Sequence, residues 1–210
     1  MQSTSEIQQK LDRSSVLRIY GNGEILVEDT FQYLSALEEA YNGTYLFFKI
    51  VEEAEEISNF YGRQRPPIPI KNLLGLNWLP SDAEKVRSFV PKSDRLRLIG
   101  VELHSPGFWD FLGKLNPLEV LRLYLNDRHE RQKDREYRNR EEERELRIKN
   151  DELEFELLKK KYEYLKDIGM PEQNITLLKE QFLSNPSRQL DRFQDMKIIV
   201  TADLVSYDSD

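Results

Sequence analysis

Cysteine is absent from the 210 residues, which excludes disulfide frameworks, thiolate zinc sites and cysteine nucleophiles and fits a reducing compartment. Histidine is almost absent, with His104 and His129 the only two. His104 with Ser105 at a strand end is the one pair with a nucleophile and a base, yet no nucleophile elbow or glycine-rich oxyanion element accompanies it. His129 lies in a highly charged stretch and reads as solvated. No P-loop, G-x-G-x-x-G or H-E-x-x-H pattern occurs. Glu52, Glu53, Glu55 and Glu56 lack the histidine three residues on that helical carboxylate metal sites use. These absences predict a non-enzymatic chain with no catalytic residue, no metal and no cofactor.

Long apolar runs are missing too. No stretch reaches the roughly 18 apolar residues of a spanning helix, and the opening MQSTSEIQQK lacks the basic flank and apolar core of a signal peptide. A cytoplasmic chain is expected, at most peripheral to a membrane, so the sequons at Asn42 and Asn174 carry no glycan. The net charge of −7 disfavours nucleic acid as a partner. The basic segment from Arg128 to Arg140 is interleaved with acids and offers only Tyr137 to stack on a base.

Hydrophobic residues are 39% of the chain and charged residues 33%, with the charges concentrated in the second half. That distribution predicts a globular head followed by an extended element. Residues 1–14 read as a flexible N-terminus and 15–116 as an α/β head. In the head, the β-rich runs 16–20 and 24–27, joined by Gly21-Asn22-Gly23, predict a hairpin. Asp29 with Gln32 resembles a capping box, so a helix is expected to start near Thr30, interrupted at Asn42-Gly43 and then continuing as one bent helix or two. The proline-rich stretch 63–80 reads as a packed loop. Ser81 with Glu84 opens a short helix that Pro91 ends, and 95–103 reads as a strand. Pro106-Gly107 then precedes FWDFLGKL, read as an aromatic-rich helical turn or two.

From Pro117 to Ile168 there is neither proline nor glycine, and Gly169 with Pro171 is a stop signal. Residues 117–169 are therefore expected as one very long charged α-helix, about 78 Å over 52 residues at 1.5 Å each. Asn116 is a fitting N-cap. Its start (Leu118, Leu121, Leu125) should dock on the head. Its middle is supported by pairs such as Asp127 with Arg131 and Asp134 with Arg138, and its end, coiled-coil-like, regains an apolar face. Residues 170–195 read as short helices and 196–210 as a strand with an acidic tail. The fold class expected is α+β: a small sheet with packed helices, the long helix, and a short helical C-terminal segment.

Two surfaces stand out. Ile148, Phe155, Leu158, Tyr162 and Leu165 form a stripe that needs a cover, either the chain's own Leu177, Leu178, Phe182 and Leu183 or a second chain. A basic block at 128–140 beside an acidic block at 141–156 suits self-pairing, and homo-oligomerisation is the leading expectation. Phe108, Trp109, Phe111 and Leu112, within the aromatic segment 108–125, are the candidate contacts with a membrane surface. The alternatives are thus an oligomerising scaffold or adaptor and a peripheral membrane binder.

The run from His104 to Arg138 resembles a segment of bacterial proteins that pair a small α/β head with a charged helix. The strand and Ser-Pro element LIGVELHSP, 98–106, is similar to bacterial domains resembling the N-terminal domain of the TRADD adaptor, found in prokaryotic conflict (immunity) systems. That resemblance implies a ferredoxin-like α/β head acting as an adaptor, often near membranes, without catalysis.

Overall fold

In the computed structural model the described residues are 14–21, 25–61, 83–104, 106–137 and 156–205. They form β1 (Ser14–Gly21), α1 (Val27–Tyr61), α2 (Ala83–Phe89), β2 (Arg97–Glu102), β3 (Gly107–Lys114), α3 (Leu115–Tyr137) and α4 (Glu156–Asp167). There follow α5 (Glu172–Lys179), a π-helical turn (Glu180–Ser184), α6 (Asn185–Arg188), α7 (Asp191–Asp195) and β4 (Thr201–Val205). The four strands lie in the order β2-β3-β1-β4, each antiparallel to its neighbours. With α1 and α3 as the two crossovers, this β-α-β-β-α-β order is the split, ferredoxin-like arrangement.

Alternation along β1 sets the layers. Leu17 lies opposite Phe111 and Leu204, and Ile19 opposite Trp109 and Ala202. This face carries the first half of α1, the start of α3 and α7, which bury Tyr33, Leu37, Tyr41, Leu118, Leu121, Leu125 and Phe193 against it. The expected docking of Leu118, Leu121 and Leu125 is what the structure shows.

The hairpin expected from 16–27 does not form, because Val27 already opens α1 and both edges of β1 are taken by β3 and β4. Leu26 and Val27 are exposed, so a strand there would have had no apolar face to bury. The expected capping box is not a cap either. Gln32 lies inside α1, where its amide donates to Glu28 one turn earlier at 3.2 Å. Likewise FWDFLGKL is not helical but forms most of β3, in the middle of the sheet.

The longest helix among the described residues is α1, with 35 residues spanning roughly 52 Å. It runs unbroken through Asn42-Gly43. Its second half buries Phe47, Ile50, Val51 and Ala54 against Leu158, Leu165, Leu178 and Phe182, so one helix serves a sheet core at one end and a helical core at the other. Gly43 is needed where the two meet: a Cβ there would stand 2.5 Å from the Phe182 carbonyl oxygen. That carbonyl belongs to the π-helical turn, where Pro186 cannot supply the usual N–H four residues on, so the helix α1 backbone packs directly against it.

The run 117–169 appears as two described helices, α3 and α4. Val120 of α3 and Leu158 and Leu165 of α4 share one core, whereas a single straight helix would set Val120 and Leu165 roughly 70 Å apart. The two helices therefore both anchor in the same body. Residues 138–155, including Ile148 and Phe155, lie outside the described residues, as does the proline-rich stretch 63–80. The stop signal acts as read from the sequence. Gly169 has φ 85°, its N–H reaches the Lys166 carbonyl, and Met170 N–H reaches the Leu165 carbonyl, a Schellman closure.

Candidate functional site

The residues considered for catalysis are not brought together. His104 is exposed in the β2–β3 turn, its Nδ1 3.5 Å from the Glu102 carboxylate, and Ser105 lies outside the described residues. His129 is half-buried on α3, where burial first and the Lys133 charge second hold its imidazole below the ordinary value. Glu52 pairs with Lys49 at 2.7 Å and Glu55 with Lys161 of α4 at 2.9 Å. Among the described residues no group of three or more acids and histidines is arranged to hold a metal ion.

Two polar clusters are tightly built, and both join elements. In the first, the Tyr41 hydroxyl donates to the Asp94 carbonyl at 2.7 Å and accepts the Lys114 backbone N–H at 2.8 Å. The Tyr45 hydroxyl donates to the Asp94 carboxylate at 2.7 Å, and Lys114 Nζ stands 3.6 Å from it. Burial first pushes the Tyr41 phenol up to about 12, so it stays a neutral donor and not a base. In the second cluster, Tyr124 donates to Asp191 at 2.5 Å and Arg128 to Asp195 at 2.7 Å, fastening α3 to α7. Apart from Arg128 Nε, the polar atoms of these clusters are engaged with other parts of the chain, which is the signature of struts.

Three of the four membrane candidates are interior. Trp109, Phe111 and Leu112 are buried in β3, and the Tyr33 ring lies edge-on to Trp109 at 5.8 Å and to Phe111 at 6.4 Å. Phe108 is half-buried beneath the Arg18 guanidinium at 4.1 Å, itself bonded twice to Asp110 at 2.8 Å. A lipid surface cannot reach Trp109, Phe111 and Leu112 without unfolding the sheet, so the expected headgroup contact is corrected for these three. Among the described residues no helix is long and apolar enough to cross a membrane.

The self-association stripe is likewise placed inside. Leu158 and Leu165 are buried and Tyr162 half-buried in the core they share with Leu178, Phe182 and Leu183, and Tyr162 packs edge-on to Phe47 at 5.6 Å. Of the two covers left open by the sequence, the chain's own C-terminal segment takes the described part of the stripe; Leu177 alone of that segment's four apolar residues points outward.

The sheet's two edges differ. On β4, Asn126 of α3 accepts the Ala202 N–H at 2.9 Å and donates to the Ala202 carbonyl at 2.8 Å, so a side-chain amide stands where another strand would. On β2, nothing among the described residues pairs with the outer edge, and Leu98, Ile99 and Val101 are 44%, 48% and 42% exposed. Leu103 beyond the strand is more exposed still. Natural edge strands of this kind are ordinarily blunted by lysine, proline or inward-pointing charge; here charge occurs only at the two ends, as Arg97 and Glu102. A second exposed apolar group, Leu26, Val27 and Phe31, marks the start of α1.

Sequence reasoning recognised RLRLIGVEL as a strand but not as an edge. Apolar residues on both of its faces ordinarily signal a strand buried on both sides. No local pattern reveals that the central places are taken by β1 and β3. The face of the sheet opposite the helices sets Tyr20 across from Phe108, a pair of rings suited to stacking. Asp110, Glu102 and Asp203 balance Arg18, Arg97 and Lys114 on that face, so it carries no net positive charge to draw phosphate. No family model, no curated protein and no solved structure matches the chain.

Proposed function

We propose that this chain is a non-enzymatic scaffold or adaptor that works by self-assembly, and that the surface involved is the sheet and not the helical stripe. The observation that carries the reading is the unequal treatment of the edges: β4 is closed by Asn126 while β2 is left apolar and, among the described residues, open. An exposed apolar edge is a standing invitation to strand addition. The polar clusters support the same reading, because their donors and acceptors are spent on joining α1, α3 and α7. On this reading the charged stretch is not the seam between copies, and its described part is held to α7 through Arg128 and Gln132. The split βαβ head also suits the adaptor role that the resemblance to TRADD-like domains of conflict systems implies.

Sedimentation velocity of the full chain over a wide concentration range tests it. A species larger than the monomer that grows with concentration is expected, and a monomer throughout overturns the reading.

A further inference from the structure

We infer that the partner at β2 is β2 of a second copy, paired antiparallel across a two-fold axis so that two four-stranded sheets become one. The inference rests on the self-assembly reading and names its interface.

The bulge in β2 is what makes the strand complementary to itself. Leu98 lies opposite Phe111 and Gly100 opposite Asp110, with Ile99 the extra residue between them. Without the bulge, Leu98 and Val101 would point to opposite faces. With it, Leu98 and Val101 (opposite Trp109) share the helix-bearing face, while Arg97 (opposite Leu112) and Glu102 (opposite Phe108) share the other. A two-fold axis normal to the sheet keeps each face on its own side. It therefore brings Leu98 and Val101 of one copy alongside Val101 and Leu98 of the other, and sets each Arg97 toward the Glu102 of its partner. Glu102 is about half exposed even with His104 beside it, so its carboxylate is free to take a second cation.

Other arrangements lose this match. Parallel pairing sets Arg97 beside Arg97 and Glu102 beside Glu102. Head-to-tail addition of β2 to β4 meets Asn126 already bonded to Ala202. Isologous contacts close on themselves, and with each β4 edge blocked the assembly ends at two chains instead of growing into a filament.

Charge reversal tests the pairing without disturbing the core, since both residues are exposed. Arg97→Glu alone and Glu102→Arg alone each put like charges together twice per dimer and should raise the dimer dissociation constant roughly tenfold or more. The double variant Arg97→Glu/Glu102→Arg should restore it, a recovery that a folding defect would not produce. Because the chain has no cysteine, single Ile99→Cys and Gly100→Cys variants report proximity cleanly: at least one should give a disulfide-linked dimer under mild oxidation, and Asp203→Cys on β4 should not. A dimer indifferent to all three charge variants overturns this interface and leaves self-assembly standing. A monomer at every concentration overturns both.

Discussion

The side-chain amide of Asn126 makes both hydrogen bonds that a neighbouring strand would make to Ala202, one as acceptor at 2.9 Å and one as donor at 2.8 Å. Ala202 is fully buried, so its two backbone groups have no water to fall back on. Replacing Asn126 with Ala should cost about 1–3 kcal/mol in urea unfolding, the range for leaving buried backbone groups without partners. The Ala202 amide should also lose most of its protection from hydrogen exchange. Unchanged protection there would mean that something other than Asn126 shields the edge.

Acid should expose the strut at Asp94. Burial on its own raises this carboxyl, but hydrogen bonds from Tyr45 and Ser93 and the charge of Lys114 outweigh it and hold the group below its ordinary 3.8. A lowered folded value means that the contribution to stability is present above the unfolded value and is lost as pH falls through the folded one. Tyr45→Phe removes the largest single cause of the lowering. The midpoint of acid unfolding, followed by circular dichroism, should therefore move to higher pH; an unmoved midpoint would show that Asp94 is not held by Tyr45.

At Gly43 two effects compete. Alanine in a helix interior is favoured over glycine by about 1 kcal/mol, whereas forcing a methyl group into a packed site costs typically 1–3 kcal/mol. The obstacle is a backbone carbonyl 2.5 Å away, which cannot swing aside as a side chain could. Gly43→Ala is expected to lower the thermal midpoint despite its better helix propensity. A raised midpoint would mean that α1 and the π-helical turn separate at little cost.

Tyr33 is fully buried among Trp109, Phe111 and Phe193, and its hydroxyl has no hydrogen-bond partner among the described residues. Burial of an unpaired hydroxyl opposes folding by about 1–3 kcal/mol. Tyr33→Phe should accordingly leave the protein as stable or more stable in chemical denaturation. A loss of stability would point to an ordered water on that oxygen.

The parts of this fold that sequence patterns reveal are those set by neighbours in the chain. Gly169 with Pro171 ends α4 because a positive φ and a missing N–H act within a few residues, and Leu118, Leu121 and Leu125 dock because their spacing makes one helical face. The misreadings share a different cause. Gly21-Asn22-Gly23 is good hairpin chemistry, yet β1 finds its partners in β3 and β4, far along the sequence. The aromatic residues of 108–112 fit a helix turn or a strand equally by composition, and only the place of β3 between β1 and β2 decides. Asn42-Gly43 looks like a break because its use, contact with Phe182, depends on a segment some 140 residues on. The candidate surface was the least legible of all, since being an edge is a property of the sheet and not of the strand.

The pairing of Val16 with Val205 carries a consequence for how the molecule is made. On a ribosome, β1 emerges early and β4 late, and until Val205 has cleared the exit tunnel one long side of β1 has no partner. The nascent chain thus carries a second bare strand until β4 emerges, and Asn126, already present on α3, has nothing yet to hold. Closure waits for β4 and comes from afar, the slow class of contact in folding. The interval before it is when this chain is most prone to pairing with the wrong neighbour.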